Sequence, residues 1–185
     1  MANQSDAAER QGLKVETVGT MRGKVGLYAG VVGGVMALDL ITKLIAQHTL
    51  PPYRPVSVLG DFFRLTYIYN PGAAFGLSFG PASRFIFLAL AVIAVVVLFF
   101  MYRATPHTDR LRLWSIAAVT GGALGNVVDR FRSPRGVIDF FDFGIGAYRW
   151  PVFNVADIAV TIGAILLAIS LWREDVEAAR SGEAE

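Results

Sequence analysis

The chain has 185 residues, of which 54% are hydrophobic and 17% charged, and its formal net charge is +2. Its mean hydropathy of +0.50 is higher than a soluble domain of this size needs to fill one core, which places the chain among membrane proteins. The small net charge, without a long basic run, argues against nucleic-acid binding. Because the sequence contains no cysteine, disulfides, thiolate metal sites and a cysteine nucleophile are excluded.

Four apolar segments approach the length of roughly 20 residues that a helix needs to cross a bilayer. They predict spans at about 24–46, 84–103, 112–129 and 153–172 within one domain, 23–172, flanked by polar tails at 1–22 and 173–185. The tails lack a pattern that could bury a face, so they are expected to be mobile. Four spans put both termini on one side, and a weak excess of Lys and Arg favours the cytoplasm for that side.

The two longer connections differ in pattern. The first, 49–83, contains an aromatic and β-branched run that ends at the turn signal Asn-Pro-Gly, which predicts a small strand or hairpin on the membrane surface. The second, 130–152, mixes aromatics with Arg and Asp, as an interfacial loop or short helix would. The predicted fold is therefore an all-α membrane protein with four transmembrane helices and a small extracytoplasmic β-element.

Glycines recur at four-residue spacing on two of the spans. Gly26, Gly30 and Gly34 lie on the first span, and Gly121 and Gly125 lie on the third. Small residues at this spacing let helix backbones approach closely in lipid, so both rows are expected to pack against a neighbouring helix.

The acidic residues carry the strongest chemical signal. Asp129, Asp139, Asp142 and Asp157 all lie between the end of the third span and the start of the fourth. Two carboxylates brought together cannot both ionise easily, so one of them keeps a proton near neutral pH. Such a pair supplies a base for a water and an acid for a substrate carbonyl, as in aspartic proteases.

Structural roles compete with this interpretation. Asp157 follows Asn154 by three residues, the spacing of a helix-capping pair, and the pattern alone does not decide between capping and catalysis. Asp129 is expected to form a salt bridge with Arg130 at a helix end. Asp142 is expected to be solvated.

Two further patterns have limited meaning. Asp39 and Lys43, four residues apart on the first span, predict an ion pair from which Lys43 extends toward the membrane surface. The segment "GLSFG" around Ser78 matches the G-x-S-x-G pattern of serine hydrolases. Its context argues against that activity, because the only histidines, His48 and His107, are expected on opposite sides of the membrane.

Five motifs in order across the four spans resemble those of the bacterial lipoprotein signal peptidase, or signal peptidase II, family. They are "DLITK" (39–43), "YNPGAAFG" (69–76), "GNVVDR" (125–130), "GVIDFFDF" (136–143) and "FNVADIAV" (153–160). The resemblance covers about residues 22–172. It implies an intramembrane aspartic endopeptidase that needs no cofactor or metal. Such an enzyme removes signal peptides from diacylglyceryl-modified prolipoproteins by cleaving just before the lipid-modified cysteine.

The resemblance also implies residue roles. Asp139 and Asp157 match the catalytic dyad, and 61–76 matches a surface β-element that cradles the substrate. Positions that match substrate-binding or supporting residues are Asp39, Lys43, Asn70, Gly72, Asn126, Asp129, Arg130, Asn154 and Ala156. The implied location is the bacterial inner membrane, with a monomeric enzyme, both termini cytoplasmic and the active site near the outer face. A lipidated prolipoprotein and membrane lipids are the implied partners.

Two further hypotheses concern the charge of the dyad and the arginines near the membrane, and two alternative functions compete with the peptidase. Asp157, near a helix N-terminus, is expected to carry the charge of the dyad while Asp139 holds the proton. Arg132 and Arg135, in a connection placed outside, could meet lipid phosphates. One rival is a small membrane transporter or proton relay that uses the intramembrane carboxylates. The other is a metal-dependent phosphotransferase that uses the clustered Asp residues.

Overall fold

A computed structural model of the chain describes residues 4–72 and 79–182. Its four long helices are α1 (Gln4–Thr49), α2 (Ser83–Ala104), α3 (Arg110–Arg132) and α4 (Val155–Gly182). Each contains a stretch long and apolar enough to cross a membrane, and these stretches are Met21–Thr49, Ser83–Ala104, Arg110–Arg132 and Val155–Ser181. The predicted fold class, four spans with a small sheet, is confirmed. Ser78 and positions 73–76 of the expected β-element lie outside the described residues.

Two of the helices are longer than their spans. Helix α1 already begins at Gln4 and α4 continues to Gly182, so helical structure extends into both polar tails. Both tails are rich in Ala and Glu, which are good helix formers. Because a packed span has already met the cost of helix nucleation, such residues can extend it without burying a face of their own.

Helix α3 lies at the centre of the bundle and packs against α1, α2 and α4. Its glycines explain how: a Cβ at Gly121 would lie 2.9 Å from the side chain of Val35 on α1, and one at Gly122 would collide with the backbone of α4. The predicted packing at Gly121 and Gly125 is therefore confirmed. The prediction for Gly26, Gly30 and Gly34 was wrong, because a Cβ there would meet nothing within 4 Å. The small residues that matter are those of the central helix.

The connections at one end of the bundle form a four-stranded antiparallel sheet in the order β1-β2-β3-β4. Its strands are β1 (Val56–Leu59), β2 (Phe63–Asn70), β3 (Val137–Ile145) and β4 (Tyr148–Arg149). The hairpin predicted for the first connection is confirmed. The second connection supplies two strands where an interfacial loop or short helix was expected, and a single 3₁₀ turn, Gly80–Ala82, precedes α2. The second connection is strand because its apolar run pairs along β2.

A β-bulge in β2 determines which residues face each other across the sheet. Leu65 is opposite Phe141 and Ile68 is opposite Asp139, so β2 has one residue more than β3 over this interval. Because side chains alternate with a period of two, the extra residue reverses the faces of β2 beyond it. Asn70 therefore reaches Asp139, whereas Thr66 reaches Asp142 on the other face.

The sheet is attached to the end of α1 by a small apolar core. Ala46 of α1 packs with Tyr67 of β2 and with Ile138 and Phe140 of β3. The end of α3 and the start of α4 adjoin the same sheet. This arrangement gathers the motifs of five separate segments at one end of the bundle, called the sheet end below.

Candidate active site

The start of α4 is closed by a reciprocal cap between Asn154 and Asp157. The Asp157 backbone N–H donates to Asn154 Oδ1 at 3.0 Å, and the Asn154 backbone N–H donates to Asp157 Oδ2 at 3.1 Å. This is the geometry of a capping box, with Asn154 at the N-cap and Asp157 three residues later. The capping role predicted for Asp157 is therefore present, and it leaves the other carboxylate oxygen, Oδ1, directed elsewhere.

Three asparagine side chains join Asp157 to Asp139. Asn126 of α3 donates to Asp157 Oδ1 at 2.8 Å, and Asn154 donates to Asp139 Oδ1 at 2.7 Å. Asn70 of β2 donates to Asp139 Oδ2 at 3.0 Å. The amides of Asn154 and Asn126 also meet, at 3.2 Å. Four elements thus bring the two carboxylates into one hydrogen-bonded network, with neutral donors on both.

Burial and charge act on Asp139 in the same direction. Its side chain is 1% exposed, and Asp157 is half-buried beside it. Burial, reinforced by the negative charge of Asp157, raises the pKa of Asp139 to about 7, although hydrogen bonds from Asn70 and Asn154 oppose the shift. A carboxyl group with such a pKa exchanges its proton near neutral pH, which suits an acid or base.

Behind this pair lies an ionic cluster centred on Lys43. The Lys43 ammonium is 2.7 Å from Asp39 and 2.7 Å from Asp129, and it is 1% exposed. The predicted pair with Asp39 is present, but the prediction that Lys43 extends to the surface was wrong because α3 covers it. The predicted bridge between Asp129 and Arg130 was also wrong, since Asp129 turns to Lys43 and to the Ile138 backbone N–H.

The Lys43 cluster is connected to the Asp139–Asp157 pair through backbone and amide groups. Lys43 donates to Asn126 Oδ1 at 3.1 Å, and Asn126 in turn donates to Asp157. Asp39 accepts from the Ala156 backbone N–H at 2.9 Å, which ties the first turn of α4 to α1. A Cβ at position 125 would lie 2.6 Å from the Asp39 carboxylate, so Gly125 makes room for this contact.

Arg130 lies at the end of α3, where its charge acts on Asp157, Asp139 and Asp129. One of its guanidinium nitrogens donates to the Asn126 carbonyl, at 3.1 Å. Its Nε is buried and has no hydrogen-bond partner among residues 4–72 and 79–182. The Arg130 carbonyl accepts from Arg84 of α2 at 2.8 Å and 2.5 Å. In the sequence, Arg84 is only the first residue of the predicted span 84–103, and no motif marks it as part of this site.

Gly72 completes the turn that holds Asn70. Its backbone φ is +119°, a conformation that favours glycine, and its N–H donates to Asn70 Oδ1 at 3.0 Å. A Cβ at this position would be 2.9 Å from the Phe87 ring. Gly72 therefore orients the Asn70 amide so that its nitrogen is directed to Asp139.

Asp142, three residues after Asp139 on β3, is not solvated as expected. It is 3% exposed and is bound by Arg64 at 3.0 Å, Arg149 at 2.6 Å and the Thr66 hydroxyl at 2.7 Å. Burial alone would raise the pKa of Asp142, but the hydrogen bonds from Thr66, Arg149 and Arg64 outweigh it and lower the pKa. This carboxylate fastens β2, β3 and β4 together, a role that sequence analysis missed.

Comparison with known proteins identifies the family. The sequence profile of the family described as "Signal peptidase (SPase) II" matches residues 31–173. The chain belongs to the signal peptidase II family. It is 42% identical to the lipoprotein signal peptidase of Desulforapulum autotrophicum over 135 residues, which are 71% of this chain and 83% of that protein. It is also 42% identical to the lipoprotein signal peptidase of Burkholderia mallei over 147 residues, 78% of this chain and 87% of the relative.

Solved structures agree with this assignment. A bacterial membrane enzyme determined by the in meso method at 2.3 Å resolution is similar with a TM-score of 0.73 and 30% identity, over 82% of this chain and 90% of that one. Another, at 1.9 Å resolution, gives a TM-score of 0.70 and 31% identity, over 80% and 93%. As a signal peptidase II, the chain is a membrane protease. The transporter or proton-relay interpretation finds no support.

Proposed function

We propose that Asp139 and Asp157 are the catalytic dyad with which the chain removes signal peptides from diacylglyceryl-modified prolipoproteins, cleaving just before the lipid-modified cysteine. The observation that carries the proposal is the donor set of the two carboxylates. Both are held by asparagine amides, and within the described part of the chain neither forms an ion pair. A carboxylate without a bound cation remains free to gain and lose a proton, as general acid–base catalysis requires.

The roles within the dyad follow from its geometry. Both carboxylates accept hydrogen bonds on both oxygens, but Asp157 lies in the first turn of α4, where the helix dipole favours negative charge. Asp139 is more deeply buried, which favours its neutral form. Asp157 therefore takes a proton from a water, whose oxygen attacks the scissile carbonyl carbon. Protonated Asp139 donates a hydrogen bond to the carbonyl oxygen. When the tetrahedral intermediate collapses, the C–N bond breaks and the amine nitrogen takes the proton that Asp157 removed from the water, which restores the Asp157 carboxylate.

The surrounding residues position the dyad and the substrate. Asn126 and Asn154 fix the Asp157 carboxylate, and Asn70, held by Gly72, fixes Asp139. Asp39, Lys43 and Asp129 secure the junction of α1, α3 and α4 on which the dyad rests, with Ala156 as the contact point on α4. The buried Nε of Arg130 is suited to donate to a backbone carbonyl of the bound peptide.

The same proposal includes the setting of the enzyme. Residues 23–172 form the peptidase domain, which is monomeric, in the bacterial inner membrane, with both termini cytoplasmic and the sheet end at the outer face. There the diacylglyceryl group of the substrate stays among membrane lipids while the peptide reaches the dyad. Support comes from the weak excess of Lys and Arg at the opposite end of the bundle, where Lys24, Arg103 and Arg110 lie.

The test is cleavage of a purified lipidated precursor by the full chain in detergent. The proposal predicts that Asp139→Asn and Asp157→Asn each reduce the cleavage rate by more than about a thousandfold, because each removes one proton-transfer group. Asp175→Asn is the matched control, since Asp175 is an exposed carboxylate on the same helix as Asp157. A folded Asp139→Asn or Asp157→Asn variant that cleaves at the wild-type rate would overturn the proposal.

A further inference from the structure

A cavity opens at the sheet end, between α1 and the turn that joins α3 to β3. Its volume is about 440 Å³, within the range of sites that bind small molecules. Neither Asp139 nor Asp157 lines it. Of the Lys43 cluster, Lys43 and Asp129 line the cavity, and because no residue of the dyad does, the cavity is distinct from the space around Asp139 and Asp157.

The rim of this cavity carries positive charge that nothing in the described chain neutralises. Lys43 and Asp129 in the inner wall bind each other at 2.7 Å, and Asp39 binds Lys43 from behind. Arg132 and Arg135 at the rim are exposed and form no ion pair with any residue of 4–72 or 79–182. Two guanidinium groups are therefore available to an anionic ligand.

One of the two guanidinium groups is held in place. Arg135 donates to the Tyr69 hydroxyl at 2.7 Å, and its guanidinium carbon lies 3.8 Å from the centre of the Tyr69 ring. Gln47 donates to the same hydroxyl at 3.1 Å. Because the guanidinium is fixed by stacking and a hydrogen bond, a ligand that binds it does not have to order a mobile side chain.

The order of polar and apolar residues along the cavity indicates the kind of ligand. Arg132 is the last residue of the third span, so it lies at the level of the lipid headgroups. Leu44 and Leu40 line the same cavity on α1, where Leu44 is next to Lys43, which binds Asp129, three residues before Arg132. Leu40 is four residues further from the end of α1, roughly 6 Å deeper at 1.5 Å per residue. Both leucines are partly exposed, at 37% and 38%. Cations at headgroup level above an apolar wall match a phospholipid better than a soluble anion.

We propose that this cavity binds a membrane phospholipid of net negative charge. Its phosphate accepts hydrogen bonds from Arg132 and Arg135, whose planar donors suit phosphate oxygens, and one acyl chain lies along Leu40 and Leu44. The inference does not depend on the proposed catalytic dyad, because no residue of the dyad takes part.

Native mass spectrometry of the full chain in a nonionic detergent provides the test. The protein is titrated with phosphatidylglycerol and, separately, with phosphatidylcholine of the same acyl chains. Wild type is expected to retain one phosphatidylglycerol at least about tenfold more tightly than phosphatidylcholine. Arg132→Gln and Arg135→Gln should each weaken this binding by about tenfold, since each removes a charge-assisted contact. Arg54→Gln is the control, because Arg54 is exposed at the same end but does not line the cavity.

Three results would contradict the proposal. The first is equal retention of the two lipids by wild type. The second is wild-type affinity for phosphatidylglycerol in an Arg132→Gln, Arg135→Gln double variant. The third is displacement of the lipid by inorganic phosphate at the same concentration, which would indicate a site for a soluble anion. Cleavage of a precursor by the double variant at the wild-type rate would show that the lipid site and the active site are separate, as the proposal requires.

Discussion

Asp139 and Asp142 lie three residues apart on one strand and are almost equally buried, at 1% and 3% exposure, yet their environments are opposite. Asp139 meets two asparagine amides and a second carboxylate, and its pKa rises to about 7. Asp142 meets two arginines and a hydroxyl, and its pKa falls. Burial therefore does not by itself make a carboxylate reactive. The partners that the fold supplies on each face of the strand decide between a proton carrier and a fixed negative charge.

The β-bulge in β2 creates this difference. Without the extra residue between Leu65 and Ile68, Asn70 would share a face of the strand with Arg64 and Thr66. The bulge instead directs the arginine and threonine to Asp142 and the asparagine to Asp139. A local irregularity in a surface strand thus assigns one carboxylate to structure and leaves the other for chemistry.

The largest effect on stability is expected at Lys43, which forms ion pairs with Asp39 and Asp129 and none with the dyad. Lys43→Met leaves Asp39 and Asp129 buried without their cation and should reduce the free energy of unfolding by about 3–5 kcal/mol, as measured by denaturant titration in detergent. A Lys43→Met, Asp129→Asn double variant removes one of the stranded charges and should recover part of the loss. Unfolding of Lys43→Met at the wild-type midpoint would mean that the cluster contributes nothing.

Asp142→Asn tests the structural side of the comparison. Removing the carboxylate that forms ion pairs with Arg64 and Arg149 should lower the free energy of unfolding by about 2 kcal/mol, because hydrogen bonds to charged groups are stronger than those between neutral groups. Below its unfolding temperature, the variant should cleave precursor within about threefold of wild type, because Asp142 does not contact the dyad. The distinction between the two carboxylates fails if Asp142→Asn abolishes cleavage as Asp139→Asn is expected to do.

The pH dependence of cleavage tests the catalytic side. The folded pKa of Asp139, about 7, is above the value of 3.8 for a free Asp side chain, so the proton is held below about pH 7 and lost above it. The cleavage rate should therefore fall as the pH rises through 7, with an apparent pKa that belongs to the coupled pair. For the same reason the contribution of Asp139 to stability declines between about pH 4 and pH 7.

Asn70→Ala should move this fall in the cleavage rate to higher pH, because the Asn70 hydrogen bond lowers the pKa of Asp139. Arg64→Gln, which alters the partners of Asp142 and Asp61 but not those of Asp139, should leave the pH of this fall unchanged. If the pH at which the cleavage rate falls changes in the Arg64 variant and not in the Asn70 variant, the assignment of the two environments is reversed.

The smallest effect is expected at Thr66. Thr66→Val removes the 2.7 Å hydrogen bond to Asp142 while keeping a β-branched side chain on β2, and should cost about 1 kcal/mol. Thr66→Ser, which keeps the hydroxyl, should cost less than the valine variant. Both should retain the wild-type pH profile. Thermal unfolding measures the change in stability, and the pH profile of cleavage shows whether the dyad is affected.

The sequence predicts local features of this site well. The spacing of Asn154 and Asp157 indicates the helix cap, and the spacing of Asp39 and Lys43 indicates their ion pair. Both patterns join residues three or four positions apart on one helix, so the sequence alone brings them together. The four spans follow from hydropathy for a similar reason. The choice of Asp139 among the acidic residues came from motif resemblance and not from any local pattern.

Longer-range partners were not predictable from the residues alone. One of the two arginines that bind Asp142, Arg64, comes from a position 78 residues earlier, and Asn70 reaches Asp139 only because of the bulge in β2. Lys43 is buried because α3 packs over it and supplies Asp129 as an ion-pair partner. The sequence of α1 alone does not show this contact, so it predicted that Lys43 would extend to water. The glycine rows on α1 and α3 have the same spacing, but only the row on the central helix faces a neighbouring helix.

The most direct test of the central claim is a titration of both carboxyl groups in one experiment. Carbon NMR of the aspartate-labelled protein in detergent, assigned with Asp139→Asn and Asp142→Asn, follows the two signals from acid to alkaline pH. The account predicts that Asp139 titrates near pH 7 and that Asp142 titrates below the usual value for aspartate. Titration of both groups below pH 5, or of Asp142 above Asp139, would contradict it.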